Sequence, residues 1–138
     1  VLQKLEPFLP FKRGVWTAYA PLPGGDFKVD AFEEEVARLQ ADYPFLEQGF
    51  ATRLTRLYGT DARLILGDAG DADGLGRCFG HDLHEREVVW LIEREWARSA
   101  DDVLWRRTKL GLRLGAAQVA ELDDFISGYL AERTGAAA

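Results

Sequence analysis

Residues 85–111 have the sequence EREVVWLIEREWARSADDVLWRRTKLG, and the spacing of their apolar side chains predicts two consecutive helices. In the first, from about Glu85 to Trp96, apolar residues recur every three or four positions, at Val88, Leu91, Ile92 and Trp96. Ser99 predicts the start of the second helix, and Asp102, three positions later, completes a capping box. The second helix is expected to end at Gly111 or Gly115, because glycine commonly terminates helices.

The same periodicity continues on both sides of this stretch. Helices are predicted to begin near Asp30, to restart after Pro44 and to run from about Ala116 to Arg133, with a short piece of unassigned structure at residues 62–66. The fold class is therefore mainly α, a small helical bundle-like domain. Its predicted core comprises Phe32, Val36, Leu39, Phe50, Leu54, Val88, Leu91, Ile92, Trp96, Leu104, Leu122, Ile126 and Tyr129.

The first 27 residues have a different character. Residues 1–9 are typical of the last turns of a helix broken at Pro7, and residues 21–25, Pro-Leu-Pro-Gly-Gly, are incompatible with regular structure. We expect residues 1–27 to be the end of a preceding helix and an extended, Pro/Gly-rich linker that contacts of Trp16 and Tyr19 hold in place. Residues 28–134 then form the helical domain, and residues 135–138 a tail.

Length and composition narrow the classes of protein that fit. A chain of 138 residues with 47% hydrophobic content fits one domain with a packed core. A net charge of −6 counts against binding to nucleic acid or an anionic membrane. The single cysteine, Cys78, excludes an internal disulfide, and no apolar run approaches the roughly 20 residues of a membrane span. Because the chain lacks methionine and begins at Val1, we expect it to be a piece of a longer protein.

One loop invites a ligand-binding interpretation that its spacing does not support. The glycines of residues 70–76 suggest a phosphate loop, but no hydrophobic strand precedes them and no Gly-Lys-Ser or Gly-Lys-Thr follows. Asp68, Asp71 and Asp73 suggest calcium, but their spacing departs from an EF-hand loop and no glutamate closes it. We expect an ordinary loop that binds neither nucleotide nor metal.

Two interpretations are open for the histidines, and two for the tryptophans. His81 and His84 suggest a metal site or a general base, yet without an obvious third ligand they are better explained as structural hydrogen-bonding groups. Stacking on a ligand is one interpretation of the tryptophans and packing in the core is the other; their helical spacing favours the core. These residues are Trp90, Trp96 and Trp105.

Charged residues stand at both ends of the second helix predicted in residues 85–111. Acidic side chains lie at its positive end and basic ones at its negative end, as the helix dipole favours. Two arginines beside a tryptophan also make a good docking surface for carboxylates or phosphates. Periodicity leaves helix stabilisation and docking open for this set, which is Asp101, Asp102, Arg106, Arg107 and Lys109.

Residues 96–111, WARSADDVLWRRTKLG, resemble the signature near the C-terminus of aerobic, FAD-dependent glycerol-3-phosphate dehydrogenases. The chain is similar to that family from about Lys4 to Arg133, and residues 101–109 are the specific part of the match. The further matching blocks are Trp16-Thr17 with Leu22-Pro-Gly-Gly25, Tyr43-Pro-Phe-Leu46, Arg56-Leu-Tyr-Gly59, Leu75-Gly76, Phe79-Gly-His81 and Glu87.

The resemblance implies a parent enzyme in which a large N-terminal part binds FAD and contacts the substrate. That enzyme oxidises sn-glycerol 3-phosphate to dihydroxyacetone phosphate and passes electrons from FAD to quinone, in the cytoplasm at the inner face of the cell membrane. The chain itself would be the non-catalytic C-terminal domain with its linker, holding no catalytic, FAD-binding or metal-binding residue and no transmembrane segment. Its expected partner is the FAD/substrate domain of the same chain, with residues 101, 102, 106, 107 and 109 as docking candidates.

Three alternatives remain beside that interpretation. A related oxidase would give its electrons to oxygen, and this domain does not distinguish the two acceptors. A stand-alone helical protein-interaction domain would need no enzymatic context. A helix-turn-helix nucleic-acid binder, with residues 99–112 as recognition helix, is disfavoured by the net charge and by the Asp101-Asp102 pair.

Overall fold

A computed structural model describes residues 16–135 together with Lys4, Pro7 and Phe8; the predictions for the rest of residues 1–15 and for residues 136–138 lie outside the described residues. The mainly helical class is confirmed. Within the described range no helix combines the length and the apolar character needed to cross a membrane. The elements are α1 (Phe32–Asp42), α2 (Gln48–Tyr58), α3 (Ala62–Leu66), β1 (Cys78–Gly80), β2 (Leu83–His84), α4 (Glu85–Glu95) and α5 (Ala116–Gly135).

The core lies where the apolar stripes of these helices meet. Val36 and Leu39 of α1, Val88 and Leu91 of α4, and Leu122 of α5 are each at most 3% exposed. Fully burying such a side chain stabilises the fold by about 1.5–3 kcal/mol. The loop between α3 and α4 adds core residues that helical periodicity did not predict, since they lie in a 3₁₀ turn, in β1 and in β2: Leu75, Phe79 and Leu83.

The predicted core position of Trp96 is wrong. Its side chain is 76% exposed, because α4 ends at Glu95 and Trp96 adopts the left-handed conformation with φ 56°. The backbone N–H of Ala97 then donates to the Leu91 carbonyl at 3.0 Å, a bond that is typical of helix ends with a left-handed residue. Buried Ala97 takes the place in the core that the spacing gave to Trp96.

The predicted linker has neither helix nor strand in residues 16–27, but turns replace the extended course that was expected of it. The backbone N–H groups of Tyr19 and Ala20 both donate to the Trp16 carbonyl, which makes a turn, and residues 22–25 form another. Trp16 and Tyr19 are 54% and 89% exposed, so neither side chain holds the segment in place.

A contact between two glycines attaches this segment to the domain. The Gly24 carbonyl accepts a hydrogen bond from Thr60 N–H at 3.0 Å. Both Gly24 (φ +70°) and Gly59 (φ +54°) are left-handed, and a Cβ on Gly59 would lie 1.9 Å from the Gly24 oxygen. Only glycine at both positions allows so close a backbone approach. Two separate sequence blocks, residues 22–25 and 56–59, therefore meet in space.

The second helix predicted in residues 85–111 is a π-helical turn, Asp102–Arg107, and not a longer α-helix. Both the N–H and the hydroxyl of Thr108 donate to the Val103 carbonyl five residues earlier, at 3.0 Å and 2.8 Å. Lys109 then turns left-handed, with φ 62°, and ends the helix. The Trp105 ring lies over Gly111, where a Cβ would approach Trp105 Cε2 to 2.4 Å. We call residues 102–107 the π-turn.

Candidate functional site

Asp102 is the centre of the hydrogen bonds that begin the π-turn. Its carboxylate accepts from the backbone N–H of Arg98 and from the Arg106 guanidinium, each at 2.9 Å, while its own N–H donates to the Ser99 hydroxyl at 3.3 Å. The Arg98 N–H bond, then the Ser99 hydroxyl and the charges of the two arginines, hold the pKa of Asp102 below its ordinary range despite some burial. The Ser99 half of the predicted capping box is therefore present, whereas the Asp102 carboxylate accepts from the N–H of Arg98, one residue before the predicted partner Ser99.

Arg107 connects the π-turn to the end of α4. Its guanidinium is largely buried and donates to the backbone carbonyls of Glu95 and Asp102, and it lies 3.7 Å from the Glu95 carboxylate. A planar donor with several N–H groups suits this arrangement, since one side chain satisfies carbonyls on two elements. Arg107 thus has a structural role within the domain.

The other three predicted docking residues face solvent. Asp101 and Lys109 are exposed, and the Arg106 side chain is 75% exposed although it pairs with Asp102. The Lys109 ammonium donates to the Trp105 carbonyl. Trp105 is 45% exposed, so the core position predicted for Trp105 is wrong. The structure therefore divides the five residues into an inner pair, Asp102 and Arg107, and an outer set, Asp101, Arg106 and Lys109.

Replacing Asp102 with Asn is expected to destabilise the start of the π-turn at neutral pH. The carboxylate has a folded-state pKa lowered from 3.8, so its stabilisation is present above the unfolded-state pKa and is lost as the pH falls through the folded value. Thermal melts should show the largest difference between wild type and Asp102→Asn near pH 7, and the difference should shrink as the pH falls below 3.8 towards the lowered folded-state pKa. Asp101→Asn is the control, and a difference for Asp102→Asn that is independent of pH would contradict the assignment.

A second polar cluster is buried between α2, the β1–β2 hairpin and α4. The Arg53 guanidinium donates to both oxygens of Glu87, at 2.7 and 2.8 Å, and to the Asp82 carbonyl at 2.9 Å. The Tyr58 hydroxyl donates to Glu87 at 2.7 Å, and Glu87 is only 2% exposed. Arg53 Nε also lies 2.9 Å from Asp82 Oδ1, an ion pair without hydrogen-bond alignment. We call Arg53, Tyr58, Asp82 and Glu87 the buried network.

The charges of the buried network reinforce one another. Burial lowers the pKa of Arg53, because it disfavours the charged guanidinium. The hydrogen bond and the charge of Glu87, and to a smaller extent those of Asp82, raise it, so the net effect is a raised pKa of Arg53. Burial and the Glu87 carboxylate raise the pKa of Tyr58, so the phenol stays protonated and donates. The spacing of apolar residues could not predict this network, since Tyr58 and Glu87 are 29 residues apart.

Both histidines lie beside this network with structural partners. His81 Nδ1 is 2.8 Å from Asp82 Oδ1, and His84 stacks on Phe50 with ring centroids 5.6 Å apart. In the glycine-rich loop, Asp71 Oδ1 accepts from Gly74 N–H at 2.9 Å and Asp68 pairs with Arg86. Among the residues that the structure describes, no three His, Cys, Asp or Glu side chains are grouped to hold a metal ion.

Comparison with known proteins places this sequence in a family. The sequence model of one protein family, the C-terminal domain of alpha-glycerophosphate oxidase, matches residues 15–135. The aerobic glycerol-3-phosphate dehydrogenase of Escherichia coli (strain K12) is 40% identical over 132 residues, 96% of this chain and 26% of that protein. A glycerol-3-phosphate dehydrogenase of Pseudomonas aeruginosa is 42% identical over 126 residues, 91% of this chain and 24% of that protein.

A relative that is named for a different substrate has the same percentage identity to this chain as the E. coli protein. The D-erythritol 1-phosphate dehydrogenase of Brucella abortus (strain 2308) is 40% identical over 119 residues, 86% of this chain and 24% of that protein. The chain thus spans about a quarter of the length of these curated relatives. The resemblance carried by residues 96–111 is confirmed, and the chain belongs to the family of C-terminal domains of alpha-glycerophosphate oxidase.

Proposed function

We propose that this chain is the C-terminal accessory domain of an FAD-dependent glycerol-3-phosphate dehydrogenase and is itself non-catalytic. In that enzyme a preceding domain binds FAD and oxidises sn-glycerol 3-phosphate to dihydroxyacetone phosphate, with electrons passing from FAD to quinone at the cytoplasmic face of the membrane. The observation that carries the proposal is the 40–42% identity to such dehydrogenases over most of this chain.

The similarity to two kinds of dehydrogenase supports the accessory role. Proteins named for glycerol 3-phosphate and for D-erythritol 1-phosphate match this chain at the same 40% identity. A domain that contacted the variable part of the substrate would be expected to differ between them, because specificity depends on contacts at the reacting molecule. Two of the arginines also have partners inside the domain, since Arg53 binds the Glu87 carboxylate and Arg107 binds the Glu95 carbonyl.

The proposal is tested with the 138-residue chain and the full-length protein side by side. We expect the chain alone to leave flavin fluorescence unchanged on titration with FAD and to oxidise no polyol phosphate. The full-length protein should contain FAD and reduce a soluble quinone analogue with glycerol 3-phosphate; D-erythritol 1-phosphate is the comparison substrate. Saturable binding of FAD to the chain at micromolar concentration, or a full-length protein without polyol-phosphate oxidation, would contradict the proposal.

The two arginines of the π-turn should respond differently to substitution. Arg107→Ala removes the bond to the Glu95 carbonyl inside the domain, so it should lower the melting temperature of the 138-residue chain. Arg106→Ala removes one exposed ion pair, which is worth about 0–1 kcal/mol, and should leave the chain stable. In the full-length enzyme Arg106→Ala should weaken flavin retention while the Michaelis constant changes little. A loss of substrate affinity by orders of magnitude with flavin retained would instead place Arg106 in the active site.

A further inference from the structure

We infer that a cavity between the start of α2 and the β1–β2 hairpin binds a primary alkylammonium group, carried by a free amine or by a lysine side chain. The cavity has a volume of about 470 Å³, which is typical of small-molecule sites. The inference goes beyond the proposed function and does not depend on it. We call this space the hairpin cavity, and its lining includes Phe45, Glu47, Phe50, His81, Asp82 and His84.

Asp82 determines where both imidazole rings of the hairpin cavity carry their proton. His81 Nδ1 lies 2.8 Å from Asp82 Oδ1, and His84 Nδ1 lies 3.2 Å from the backbone carbonyl oxygen of Asp82. Carboxylate and carbonyl oxygens only accept hydrogen bonds, so Nδ1 holds the proton in each neutral ring. Neither Nε2 atom has a partner among the residues that the structure describes. Both rings therefore present an unused hydrogen-bond acceptor.

The ring of His84 is also held by stacking. It lies on the Phe50 ring, with centroids 5.6 Å apart and planes inclined by 15°. The Phe50 ring in turn lies 5.3 Å from the guanidinium carbon of Arg53. An acceptor that is fixed before the ligand arrives loses little side-chain entropy on binding, which favours affinity.

The charge around the hairpin cavity is negative. Asp82 and Glu87 share the single guanidinium of Arg53, which leaves one negative charge on the buried network. Glu47, an exposed lining residue, adds a second carboxylate, and no described lysine or arginine lines the cavity. A concave surface with this charge concentrates cations and repels anions.

The start of α2 is the feature of the cavity that would favour an anion. No side chain caps this helix, and its first backbone N–H groups, near Gly49, attract negative charge. Glu47 occupies the N-cap position, however, and already places a carboxylate beside these groups. The polar side chains of the cavity all offer acceptors, so an ammonium group with three donors fits them better than a phosphate or a carboxylate.

Apolar side chains define the rest of the ligand. Phe45, Phe50 and Ala72 line the hairpin cavity, and methylene groups gain affinity when they leave water for such a surface. A metal ion would gain nothing from these walls, and within the described part of the chain no three ligating side chains are grouped to hold one. Acceptors, negative charge and apolar walls together select an alkyl chain that ends in an ammonium group.

NMR titration of the 138-residue chain at about pH 8, with probes of one chain length, tests the inference. Pentylammonium should shift the side-chain signals of His81 and His84 with a dissociation constant of about 1 mM or below, as expected for a ligand of this size. The alcohol 1-pentanol and the anion pentanoate should bind at least about 10-fold more weakly, because they lack the positive charge. Absence of saturable shifts with pentylammonium, or tighter binding of pentanoate, overturns the inference.

A further probe distinguishes the two sources of the ammonium group. Nα-acetyl-lysine N-methylamide carries the lysine side chain between two peptide bonds. If it binds more tightly than pentylammonium, the occupant is a lysine side chain of a protein. If it binds more weakly, the occupant is a free amine.

Two variants test which groups of the hairpin cavity hold the ammonium. His84→Phe keeps an aromatic ring on Phe50 but removes Nε2, and should weaken pentylammonium binding about 10-fold, since a hydrogen bond to a charged group is lost. Glu47→Gln removes an exposed charge without touching the buried network, and should weaken binding about 3-fold. Glu34→Gln on α1, where the side chain is 71% exposed, is the matched control and should leave the dissociation constant unchanged. Wild-type affinity in both cavity variants overturns the inference.

Discussion

Arg53→Ala is expected to lower the free energy of unfolding by about 3–5 kcal/mol, since it leaves a buried charge without its partner. Glu87, 2% exposed, would retain only the Tyr58 hydroxyl, and Asp82 would lose its neighbouring cation. The loss should also separate α2 from the β1–β2 hairpin, because the guanidinium bonds to the Asp82 carbonyl. Chemical denaturation of the 138-residue chain, followed by circular dichroism, measures the change.

A matched control is available on α1. Arg38 pairs with Glu34 at 3.4 Å, and the two side chains are 62% and 71% exposed. Arg38 also lies 3.6 Å from the buried Glu35 carboxylate, but Glu35 keeps Arg63 as a partner when Arg38 is removed. Arg38→Ala should therefore change the unfolding free energy by no more than about 0.5 kcal/mol. If Arg53→Ala cost as little as Arg38→Ala, the buried network would contribute nothing, and the packing of α2 would depend on apolar contacts alone.

Gly59→Ala should also lower the free energy of unfolding substantially, but for a different reason. Gly59 has φ 54° and ψ −129°, a conformation open to glycine alone, and a Cβ there would lie 1.9 Å from the Gly24 oxygen. Backbone strain and the overlap together should cost about 3 kcal/mol or more. The Thr60–Gly24 hydrogen bond should break, and hydrogen exchange at Thr60 N–H, measured by NMR, should accelerate accordingly.

A glycine-to-alanine substitution on α5 should instead raise the free energy of unfolding. Gly128 lies within Ala116–Gly135, and a Cβ there would meet nothing within 4 Å. Gly128→Ala should stabilise the chain by about 0.5–1 kcal/mol, because alanine loses less backbone entropy in a helix. A Gly59→Ala protein as stable as wild type, with Thr60 still protected, would show that the two backbones do not meet as described.

The helices were predictable because burial on one face leaves a periodic signal. Val88, Leu91 and Ile92 lie at the predicted spacing and are at most 4% exposed. The same signal failed at Trp96, since periodicity cannot tell where a helix ends when a large aromatic residue occupies the left-handed position. It failed again in residues 102–107, because α- and π-helical turns bury similar residues and differ only in hydrogen bonding.

The buried network and the glycine contact required tertiary structure. Arg53 and Glu87 are 34 residues apart, and local spacing carries no information on pairing at that distance. The resemblance identified Tyr58, Gly59, His81 and Glu87 as part of matching blocks without a physical reason for them. The structure supplies one, because these residues meet around Arg53 and Asp82 or at the backbone contact with Gly24. The docking roles of residues 101–109 stay predictions.

The Gly24–Thr60 hydrogen bond closes a long loop of chain that contains both α1 and α2, and this has a consequence for local dynamics. Most of residues 16–25 are exposed and a backbone contact at Gly24 attaches them, whereas the core behind that contact is buried, so the contact should open without global unfolding. Hydrogen exchange at Thr60 would then report a subglobal opening of far lower free energy than exchange at Leu91 in the core. A protease should cleave through the same opening, so limited proteolysis is expected to cut first within residues 16–25.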